Sequence, residues 1–544
     1  MITGRMFRDG VISGANNIAN SRQAVDALNI FPVPDGDTGT NMSMTIASAA
    51  EDIKNLSDDV TIGEVSKKVA SGLLRGARGN SGVILSLIFR GFSKAFKGLD
   101  VAGGKDIARA FRAGSDAAYK AVMKPTEGTI LTVVRCAAEA AEKMAEINDE
   151  PIEVCVAALE AAKEALASTP DLLPVLKKAG VVDAGGQGFL LILKGIESVI
   201  GNDVIIRPIG DEALADETDG KAHSSQENIK YNYAVELVIH KKNGAKESSV
   251  EKLRAYLEAL GDGVKVSEDN GVICVKVNTD APGTVLTTGA KYGEMYDLSI
   301  VNMKAPEKQE EVEKEENAPA EPEKDYGFVC VCAGDGLTAL FSDLGADVVV
   351  SGGQTMNPST DDISRAVLSV GAKTVFVLPN NKNIIMAAQM ARDEIKDREV
   401  VVLETKTIPQ GISAMLTFDE SEDVQANADN MMQAALQTQT ASVTFAARDS
   451  EVDGKPIQKG QIMGLCNGAI KFIGEDKEQI ALDSCCEMFN PDENSLITVI
   501  YGEGMTDDDA SRLEALLGEK LGDSAEISVV NGGQPVYYYI ISVE

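Results

Sequence analysis

The sequence is poor in histidine, and this absence narrows the chemistry that its N-terminal part can carry out. Among 544 residues only His223 and His240 are histidines, so neither lies between Met1 and Ile200. Histidine is the usual general base and a frequent metal ligand near neutral pH. Histidine-based catalysis is therefore nearly excluded for the first two hundred positions.

Cysteine pairs of the C-x-x-C type are also absent, although the chain has eight cysteines. Such pairs are typical of zinc and redox sites, and disulfides are rare in reducing compartments. Cys330 and Cys332 are two positions apart in an apolar stretch, and Cys485 and Cys486 are adjacent. We therefore expect reduced, buried cysteines in a cytoplasmic protein.

An excess of positive charge and long apolar runs are missing as well. The formal net charge of -33 argues against nucleic acid or an anionic membrane surface as a partner. The N-terminal residues lack the apolar core of a signal peptide, and no apolar run approaches transmembrane length, so we expect no stable membrane insertion. A small anionic ligand remains compatible with this composition, because it needs only a local cluster of donors and metal.

Hydrophobic periodicity divides the chain into three predicted domains and two linkers. Alanine-rich segments with apolar residues three and four positions apart indicate an all-α domain, which we interpret as a helical barrel. Two polar, acidic stretches without periodicity indicate linkers. Alternating strands around an amphipathic helix, and later short apolar strands alternating with helices, indicate an α+β and an α/β domain. The predicted order is a helical domain at 1–203, a linker at 204–228, a small α+β middle domain at 229–304, an acidic linker at 305–325 and an α/β C-terminal domain at 326–544.

The C-terminal domain contains two stretches with a similar sequence pattern, an internal repeat. Two stretches, AGDGLTALFSDLGADVVVSGGQ and YGEGMTDDDASRLEALLGEKLGDSAEISVVNGGQ, each follow the order strand, glycine–acid–glycine turn, helix, strand, G-G-Q. The pattern favours two related units. Two loops at predicted strand ends, 351–358 and 379–383, are either docking or anion-binding surfaces or ordinary turns with helix-capping residues.

Two aspartates lie in a turn that interrupts the helical pattern near the N-terminus. Residues 29–42 read NIFPVPDGDTGTNM, with Asp35 and Asp37 two positions apart. Two carboxylates on one turn can face one cation, and Mg²⁺ prefers oxygen ligands. Neutral polar groups follow where the next helix begins and its amides favour an anion, at Thr38, Thr40 and Asn41. The turn is equally typical of a polar loop that caps this helix.

A second glycine-rich loop, LLRGARGNSGV at 73–83, precedes an apolar helix. Glycine-rich turns at a helix start expose amides that bind phosphate oxygens, and Arg78 can neutralise charge on a transferred phosphoryl group. The alternative is a flexible connection with a solvated arginine. Two more polar, glycine-rich loops occur at 125–131 and 180–188. Since alternate loops of a helical barrel meet at one end, we expect these four loops to form one site.

Together the four loops resemble the ATP-binding L-type domain of the dihydroxyacetone kinases. The motifs NIFPVPDGDTGTNM and GARGNSGVIL are most similar to the catalytic subunit of bacterial fatty acid kinase, and SGGQTMNPST in the C-terminal domain supports the same resemblance. The resemblance implies an L-type kinase domain, a middle domain and a C-terminal domain. It also implies a homodimer and a separate fatty-acid-binding protein, which docks on the middle or C-terminal domain and delivers the acyl substrate.

The resemblance assigns roles to individual residues. Asp35 and Asp37 would hold the Mg²⁺ that bridges the ATP phosphates, and together with Arg78 they form the catalytic set. The third metal-binding carboxylate of the dihydroxyacetone kinases has Asn29 as its nearest counterpart. The residues assigned to the nucleotide site are Thr38, Thr40, Asn41, Gly79, Asn80, Ser81, Gly82, Thr129, Asp183 and Gly185.

The middle domain departs from the family pattern. Fatty acid kinases of this type can carry a cysteine–histidine–histidine metal site there, whereas this chain has Ala234, Lys276 and Asn278 at the three positions. None of these side chains is the thiolate or imidazole that zinc prefers. We therefore predict no zinc in the middle domain.

The missing histidines bear on the phosphoryl acceptor. An alcohol acceptor usually needs a positioned base, whereas a fatty acid with a pKa of roughly 4–5 is already ionised at neutral pH. This favours a carboxylate acceptor, although an aspartate is also able to act as a base. We expect an ATP- and Mg²⁺-dependent kinase that makes acyl phosphate for phospholipid synthesis from a protein-bound fatty acid. The alternatives are a dihydroxyacetone-type small-molecule kinase and a nucleotide-binding regulatory scaffold without transfer activity.

Overall fold

The computed structural model describes residues 1–29, 36–122, 124–209, 230–241, 248–269, 272–302, 321–353, 356–447, 449–452 and 455–544. Asp35, most of both predicted linkers, and residues 354 and 355 of the loop at 351–358 lie outside these described residues. The chain divides into two compact units, Met1–Ile206 with Asn317–Glu544, and Arg207–Glu316.

The N-terminal part of the first unit is helical, apart from one short antiparallel pair, β1 (Ile2–Thr3) and β2 (Val101–Ala102). Local capping signals set several helix starts: Thr61 and Glu64, for example, exchange side-chain and backbone hydrogen bonds in a capping box. The helices are α1 (Gly4–Asn20), α2 (Arg22–Asp26), α3 (Thr38–Ile53), α4 (Ile62–Arg75), α5 (Gly79–Phe96), α6 (Gly104–Ala121), α7 (Ile130–Ile147), α8 (Pro151–Leu172), α9 (Pro174–Ala179) and α10 (Ala184–Asn202).

These helices enclose one hydrophobic core. Apolar side chains from α1, α3 to α8 and α10 form it, including the fully buried Met42, Ile46 and Phe189. Helices α1 and α10 approach closely because glycines face each other where they pack: a Cβ on Gly195 would lie 2.5 Å from backbone atoms of Gly14. The alanine-rich, amphipathic pattern of the sequence thus produces the expected all-α domain.

Within its described residues, the second unit contains a four-stranded antiparallel sheet in the order β4-β5-β3-β6 and two helices. Alternate residues of β3 are buried, as one covered face requires. Ala234 on β3 pairs with Asn278 on β5, and Glu236 pairs with Lys276 and forms a salt bridge with it. The absence of zinc at these positions stays a prediction. The elements are β3 (Tyr233–Lys241), α11 (Ser248–Glu258), β4 (Gly261–Asp269), β5 (Val272–Thr279), α12 (Pro282–Gly289) and β6 (Gly293–Asn302).

The described residues of the C-terminal part of the first unit form a four-stranded and a six-stranded sheet, besides the short pair of β12 (Ser450–Val452) and β13 (Lys455–Ile457). A parallel sheet has the order β10-β9-β7-β8, and a mixed sheet has the order β15-β14-β11-β18-β16-β17. The strands are β7 (Lys324–Cys332), β8 (Val348–Ser351), β9 (Ala372–Leu378), β10 (Glu399–Val402), β11 (Gln439–Phe445), β12 (Ser450–Val452), β13 (Lys455–Ile457), β14 (Ile462–Cys466), β15 (Ala469–Gly474), β16 (Leu496–Tyr501), β17 (Glu526–Asn531) and β18 (Tyr539–Val543). The helices are α13 (Asp335–Asp343), α14 (Thr360–Ser369), α15 (Ile385–Glu394), α16 (Ile408–Thr417), α17 (Val424–Gln437), α18 (Lys477–Met488) and α19 (Asp507–Leu521).

Both stretches of the internal repeat form β-α-β units. Strands β7 and β8 flank α13 and pair in parallel, and β16 and β17 flank α19 and do the same. These two β-α-β units of the C-terminal domain also contact each other, because the backbone N–H of Leu337 donates to the carbonyl oxygen of Gly532 at 3.0 Å. The fold class is confirmed: a helical N-terminal domain is followed by a middle α+β domain and an α/β C-terminal domain.

The N-terminal and C-terminal parts of the first unit share a hydrophobic cluster. Ala77 and Val83 of the helical domain are buried against Ile363, Val367 and Ala388 of the C-terminal domain. This contact places the start of α14 beside the start of α5. Within the described ranges, none of the helices combines the length and apolarity needed to cross a membrane.

Candidate functional site

The N-terminal ends of α3, α5, α7 and α10 meet at one end of the helical domain. A Cβ on Gly79 would lie 2.6 Å from Asn41 Nδ2, which brings α5 against α3. A Cβ on Gly188 would lie 2.7 Å from Met42 Sδ, and one on Gly185 would lie 3.4 Å from Ile130 Cβ, which joins α10 to α3 and to α7. The partial positive charges of four helix N-termini favour an anion here.

Asp37 immediately precedes α3, but its carboxylate does not cap this helix. The backbone carbonyl of Asp37 accepts from Asn41 N at 2.7 Å, and its Oδ2 accepts from Asn357 Nδ2 at 2.6 Å. The capping hydrogen bonds come from Asp26, whose two oxygens accept from Thr40 N at 3.0 Å and Thr40 Oγ1 at 2.8 Å. The capping interpretation of the turn therefore does not apply to Asp37, and Asp26 is a residue that sequence reasoning missed.

Oxygen-bearing side chains surround Asp37. Thr38 is buried in the first turn of α3, and its Oγ1 accepts from Asn29 Nδ2 at 3.3 Å. No group of three or more histidine, cysteine or acidic side chains suited to a metal occurs among the residues that the structure describes, which do not include Asp35. A carboxylate with neutral oxygens nevertheless fits Mg²⁺, which commonly takes one or two carboxylates and completes its shell with phosphates and water.

The glycine-rich loop is held firmly against α3. Gly79 has φ +57°, a left-handed conformation that favours glycine. The backbone N–H of Arg78 donates to Thr45 Oγ1 at 3.2 Å, and this hydroxyl donates to the carbonyl oxygen of Asn41 at 2.6 Å. Hydrogen bonding and close packing against α3 therefore hold the loop in place, and it is not a loose connection between helices.

Asn80, Ser81 and Gly82 form the first turn of α5. Gly82 packs so closely on α3 that a Cβ would collide with Thr45 Oγ1. Ser81 is partly buried, and Asn80 Oδ1 is buried without a hydrogen-bond partner. A buried acceptor without a partner is uncommon, and it leaves Asn80 Oδ1 able to accept a hydrogen bond from a ligand.

Arg78 is not a solvated arginine. Only 20% of its side chain is exposed, its Nη1 donates to the carbonyl oxygen of Asn357 at 2.9 Å, and the same atom lies 3.4 Å from Asp362 Oδ2. The predicted role in neutralising a transferred phosphoryl group stays a prediction. In the structure the guanidinium joins the glycine-rich loop to the C-terminal domain.

Thr129 and Asp183 cap the two remaining helices of the site. Thr129 Oγ1 accepts from Leu131 N at 3.4 Å, and Asp183 Oδ2 accepts from Gly186 N at 2.7 Å. Asp183 also lies near Ile130 at the start of α7, because a Cβ on Gly185 would be 3.3 Å from Asp183 Oδ2 and 3.4 Å from Ile130 Cβ. Burial raises the pKa of Asp183 to about 6, although the backbone N–H groups of Gly186 and Ile130 oppose the shift.

The loop before α7 is organised by Glu127, a second residue that the sequence did not single out. Its Oε2 accepts from Thr132 Oγ1 at 2.6 Å and from Arg135 Nη2 at 2.9 Å, and its Oε1 accepts from Tyr119 Oη at 2.8 Å. The hydrogen bond from Thr132 is the main cause that lowers the pKa of Glu127. This network holds the loop segment that precedes Thr129.

The two C-terminal loops that we singled out border one cavity of about 310 Å³. Its lining includes Gly352, Asn380 and Asn381, together with Lys382 and Lys406. The two asparagines have structural roles: Asn380 Nδ2 donates to the carbonyl oxygen of Val331 on the neighbouring strand β7 at 3.1 Å, and Asn381 Oδ1 accepts from the backbone two residues later at 2.8 Å, within the local turn. The two loops thus contain asparagines with structural hydrogen bonds, and they also border a cavity whose lining includes two lysines.

Comparison with known proteins gives matches along the whole chain. The matching family models are a DAK2 domain at residues 32–198, the middle domain of the FakA-like fatty acid kinases at 230–310, and the FakA-like C-terminal domain at 327–544. Protein YloV of Bacillus subtilis strain 168 is 41% identical over 554 residues, covering 100% of this chain and 99% of that protein. An uncharacterized protein of Staphylococcus saprophyticus is 39% identical, with 100% and 99% covered.

Similar solved structures are more distant. Dihydroxyacetone kinase from C. freundii in complex with AMP-PNP and Mg²⁺ has a TM-score of 0.31 and 12% identity, and covers 56% of this chain and 57% of that chain. A DegV family protein from Thermus thermophilus, described for its fatty acid binding, has a TM-score of 0.30 and 15% identity, and covers 40% and 99%. On the family models and the full-length relatives, the chain belongs to the FakA-like fatty acid kinase family, with a DAK2 domain of the dihydroxyacetone kinase type.

Proposed function

We propose that this chain transfers the γ-phosphoryl group of ATP to the carboxylate of a fatty acid that a separate fatty-acid-binding protein presents. The observation that carries the proposal is the meeting of four helix N-termini around Asp37 and the loop at Gly79. Membership of a kinase family supports phosphoryl transfer as the reaction class. The acyl phosphate would then enter phospholipid synthesis.

The chain's own groups suit a nucleotide with its cation. Asp37, with Asn29 and Asp35, would hold Mg²⁺, and the backbone amides of 79–81 at the start of α5 would donate to phosphate oxygens, with Gly82 beside them. When bound, Mg²⁺ offsets the negative charge of the phosphates and of the group in transfer. Thr38, Asn41 and the partly buried Asn80 add neutral polar groups, which carry no negative charge to repel an anion.

The proposed step needs no general base. A carboxylate oxygen of the fatty acid forms a bond to the γ-phosphorus, while the bond from this phosphorus to the oxygen shared with the β-phosphate breaks and ADP leaves. No proton changes place, because the acid is already ionised at neutral pH. The helical domain has no histidine to serve as a base, which is consistent with this acceptor.

The proposal extends to the setting of the enzyme. The acyl-carrying protein would dock on the middle or C-terminal domain, and the kinase would act in the cytoplasm as a homodimer. The lysine-lined cavity beside the loops at 351–358 and 379–383 is one surface for such docking.

The direct test combines the full chain with ATP, Mg²⁺, a fatty acid and a fatty-acid-binding protein, and traps acyl phosphate with hydroxylamine. We expect a hydroxamate that requires all components. A parallel reaction offers dihydroxyacetone without fatty acid. Phosphorylation of dihydroxyacetone alone would establish the small-molecule kinase, and nucleotide binding without any phosphorylated acceptor would establish the regulatory scaffold.

Gly79→Ala is expected to weaken nucleotide binding, because its Cβ would lie 2.6 Å from Asn41 Nδ2 and displace this amide. Gly98→Ala is the matched control: Gly98 follows the opposite end of α5, has φ +77° and has no neighbouring atom within 4 Å of an added Cβ. Both changes should lower the free energy of unfolding by about 1 kcal/mol through backbone strain. Calorimetric titration with an ATP analogue should show a loss of affinity for Gly79→Ala only, and equal affinities would contradict the assignment of this loop.

A further inference from the structure

One residue of the C-terminal domain reaches the candidate metal ligand of the helical domain. Asn357 is 1% exposed, and its Nδ2 donates to Asp37 Oδ2 at 2.6 Å and approaches Asn41 Oδ1 at 3.4 Å. Its Oδ1 is buried without a hydrogen-bond partner. Burying an amide with one unsatisfied oxygen costs about 1–3 kcal/mol, so packing alone gives no reason for an asparagine here.

The backbone around Asn357 is tied to the glycine-rich loop on both sides. Arg78 Nη1 donates to the carbonyl oxygen of Asn357, and Arg78 forms a backbone bridge with Ser359. The backbone N–H of Thr360 donates to the carbonyl oxygen of Ala77 at 3.1 Å. The buried cluster that contains Ala77 completes the contact. These bonds hold the amide of Asn357 at a fixed place relative to Asp37.

An amide donor suits this place for an electrostatic reason. A hydrogen bond to one oxygen fixes the rotation of a carboxylate, and removing a group that orients a metal-binding side chain in this way commonly changes metal affinity by about 10- to 100-fold. A lysine or arginine there would neutralise Asp37 and compete with a cation. The neutral amide of Asn357 orients the carboxylate and leaves its charge available.

We propose that Asn357 is a positioning residue of the nucleotide site, by which the C-terminal domain sets the orientation of Asp37 toward Mg²⁺. The inference rests on the proposed function, because it takes Asp37 as the metal ligand. It makes the nucleotide site a product of two domains that are distant in sequence. By linkage, occupation of the site should also stabilise the loop that carries Asn357.

The test uses the full chain and binding of a non-hydrolysable ATP analogue, measured by calorimetry with Mg²⁺ and again with EDTA. Asn357→Ala and the similar-sized Asn357→Leu, which avoids a cavity, should each weaken Mg²⁺-dependent binding by about 10- to 100-fold. Neither should alter the affinity in EDTA. The matched control is Asn427→Ala: Asn427 is fully buried in the same domain, and its amide exchanges hydrogen bonds with the backbone of residues 419 and 422, remote from Asp37 in sequence.

The outcomes separate the two levels of the hypothesis. If the Asn357 variants lower thermal stability, as Asn427→Ala is expected to do, but keep Mg²⁺-dependent affinity, the contact is structural and the inference is wrong. If Asp37→Asn abolishes Mg²⁺-dependent binding while the Asn357 variants retain it, the nucleotide site stands and only the positioning role fails. If the unmodified chain binds no analogue with Mg²⁺, both the inference and the proposed function are overturned.

Discussion

Asp37→Asn is expected to lower the rate of hydroxamate formation by at least about 100-fold while the chain remains folded. Removing one preorganised electrostatic group from a phosphoryl- or acyl-transfer site typically costs this much, and the amide cannot replace the charge that a cation needs. The fold should persist because the amide oxygen still accepts from Asn357 Nδ2, and the bond from Asn41 N goes to the backbone carbonyl.

Asp26→Asn is the matched control for this change. Asp26 ends α2 and lies close to the same turn, but its carboxylate accepts from the backbone and hydroxyl of Thr40 and acts as the cap of α3. Loss of the charge there should cost about 1 kcal/mol of stability and only a few-fold in rate. Equal losses of rate in both variants, or full activity of Asp37→Asn, would show that Asp37 does not hold the cation.

Local sequence signals account for the parts of the fold that could be predicted. The capping box at Thr61 and Glu64, the alanine-rich amphipathic helices and the buried run in β7 are each set by neighbouring residues. The meeting of four polar loops followed from barrel geometry alone, because alternate connections lie at the same end. For this reason the fold class could be predicted without any knowledge of long-range contacts, and the structure confirms it.

The contacts that complete the site were beyond sequence reasoning. Asn357 and Asp37 are 320 positions apart, and periodicity carries no information on such a pair. The loop that contains Asn357 was noted at a predicted strand end and as part of a resemblance, but neither pattern connected it with Asp37. The role of Asp26 was missed for a related reason, because a side chain from the end of α2 caps a helix that begins twelve positions later. Asp35, Asn29 and Arg78 keep their assignments as predictions.

Asp183 gives the second large effect, a change of stability with pH. Its folded-state pKa of about 6 exceeds the ordinary aspartate value near 3.8, so the folded chain binds this proton more tightly than the unfolded chain does. The stability that the protonated form provides is present below about pH 4 and is lost as the pH rises through 6. At neutral pH the ionised, buried carboxylate therefore destabilises the fold.

Asp183→Asn should raise the free energy of unfolding at pH 7 by about 2 kcal/mol, a value reduced because the largely buried side chain keeps some exposure to solvent. The amide oxygen can still accept from Gly186 N. The gain should shrink as the pH falls and vanish about one unit below the ordinary aspartate pKa of 3.8, where Asp183 is protonated in both states. Denaturant unfolding followed by far-ultraviolet circular dichroism between about pH 3 and 8 measures this. The control is Asp423→Asn, an exposed cap of α17 that accepts from Ala426 N, for which no such gain is expected. A gain for Asp183→Asn that is the same at every pH would mean that hydrogen bonding, and not burial of charge, governs this position.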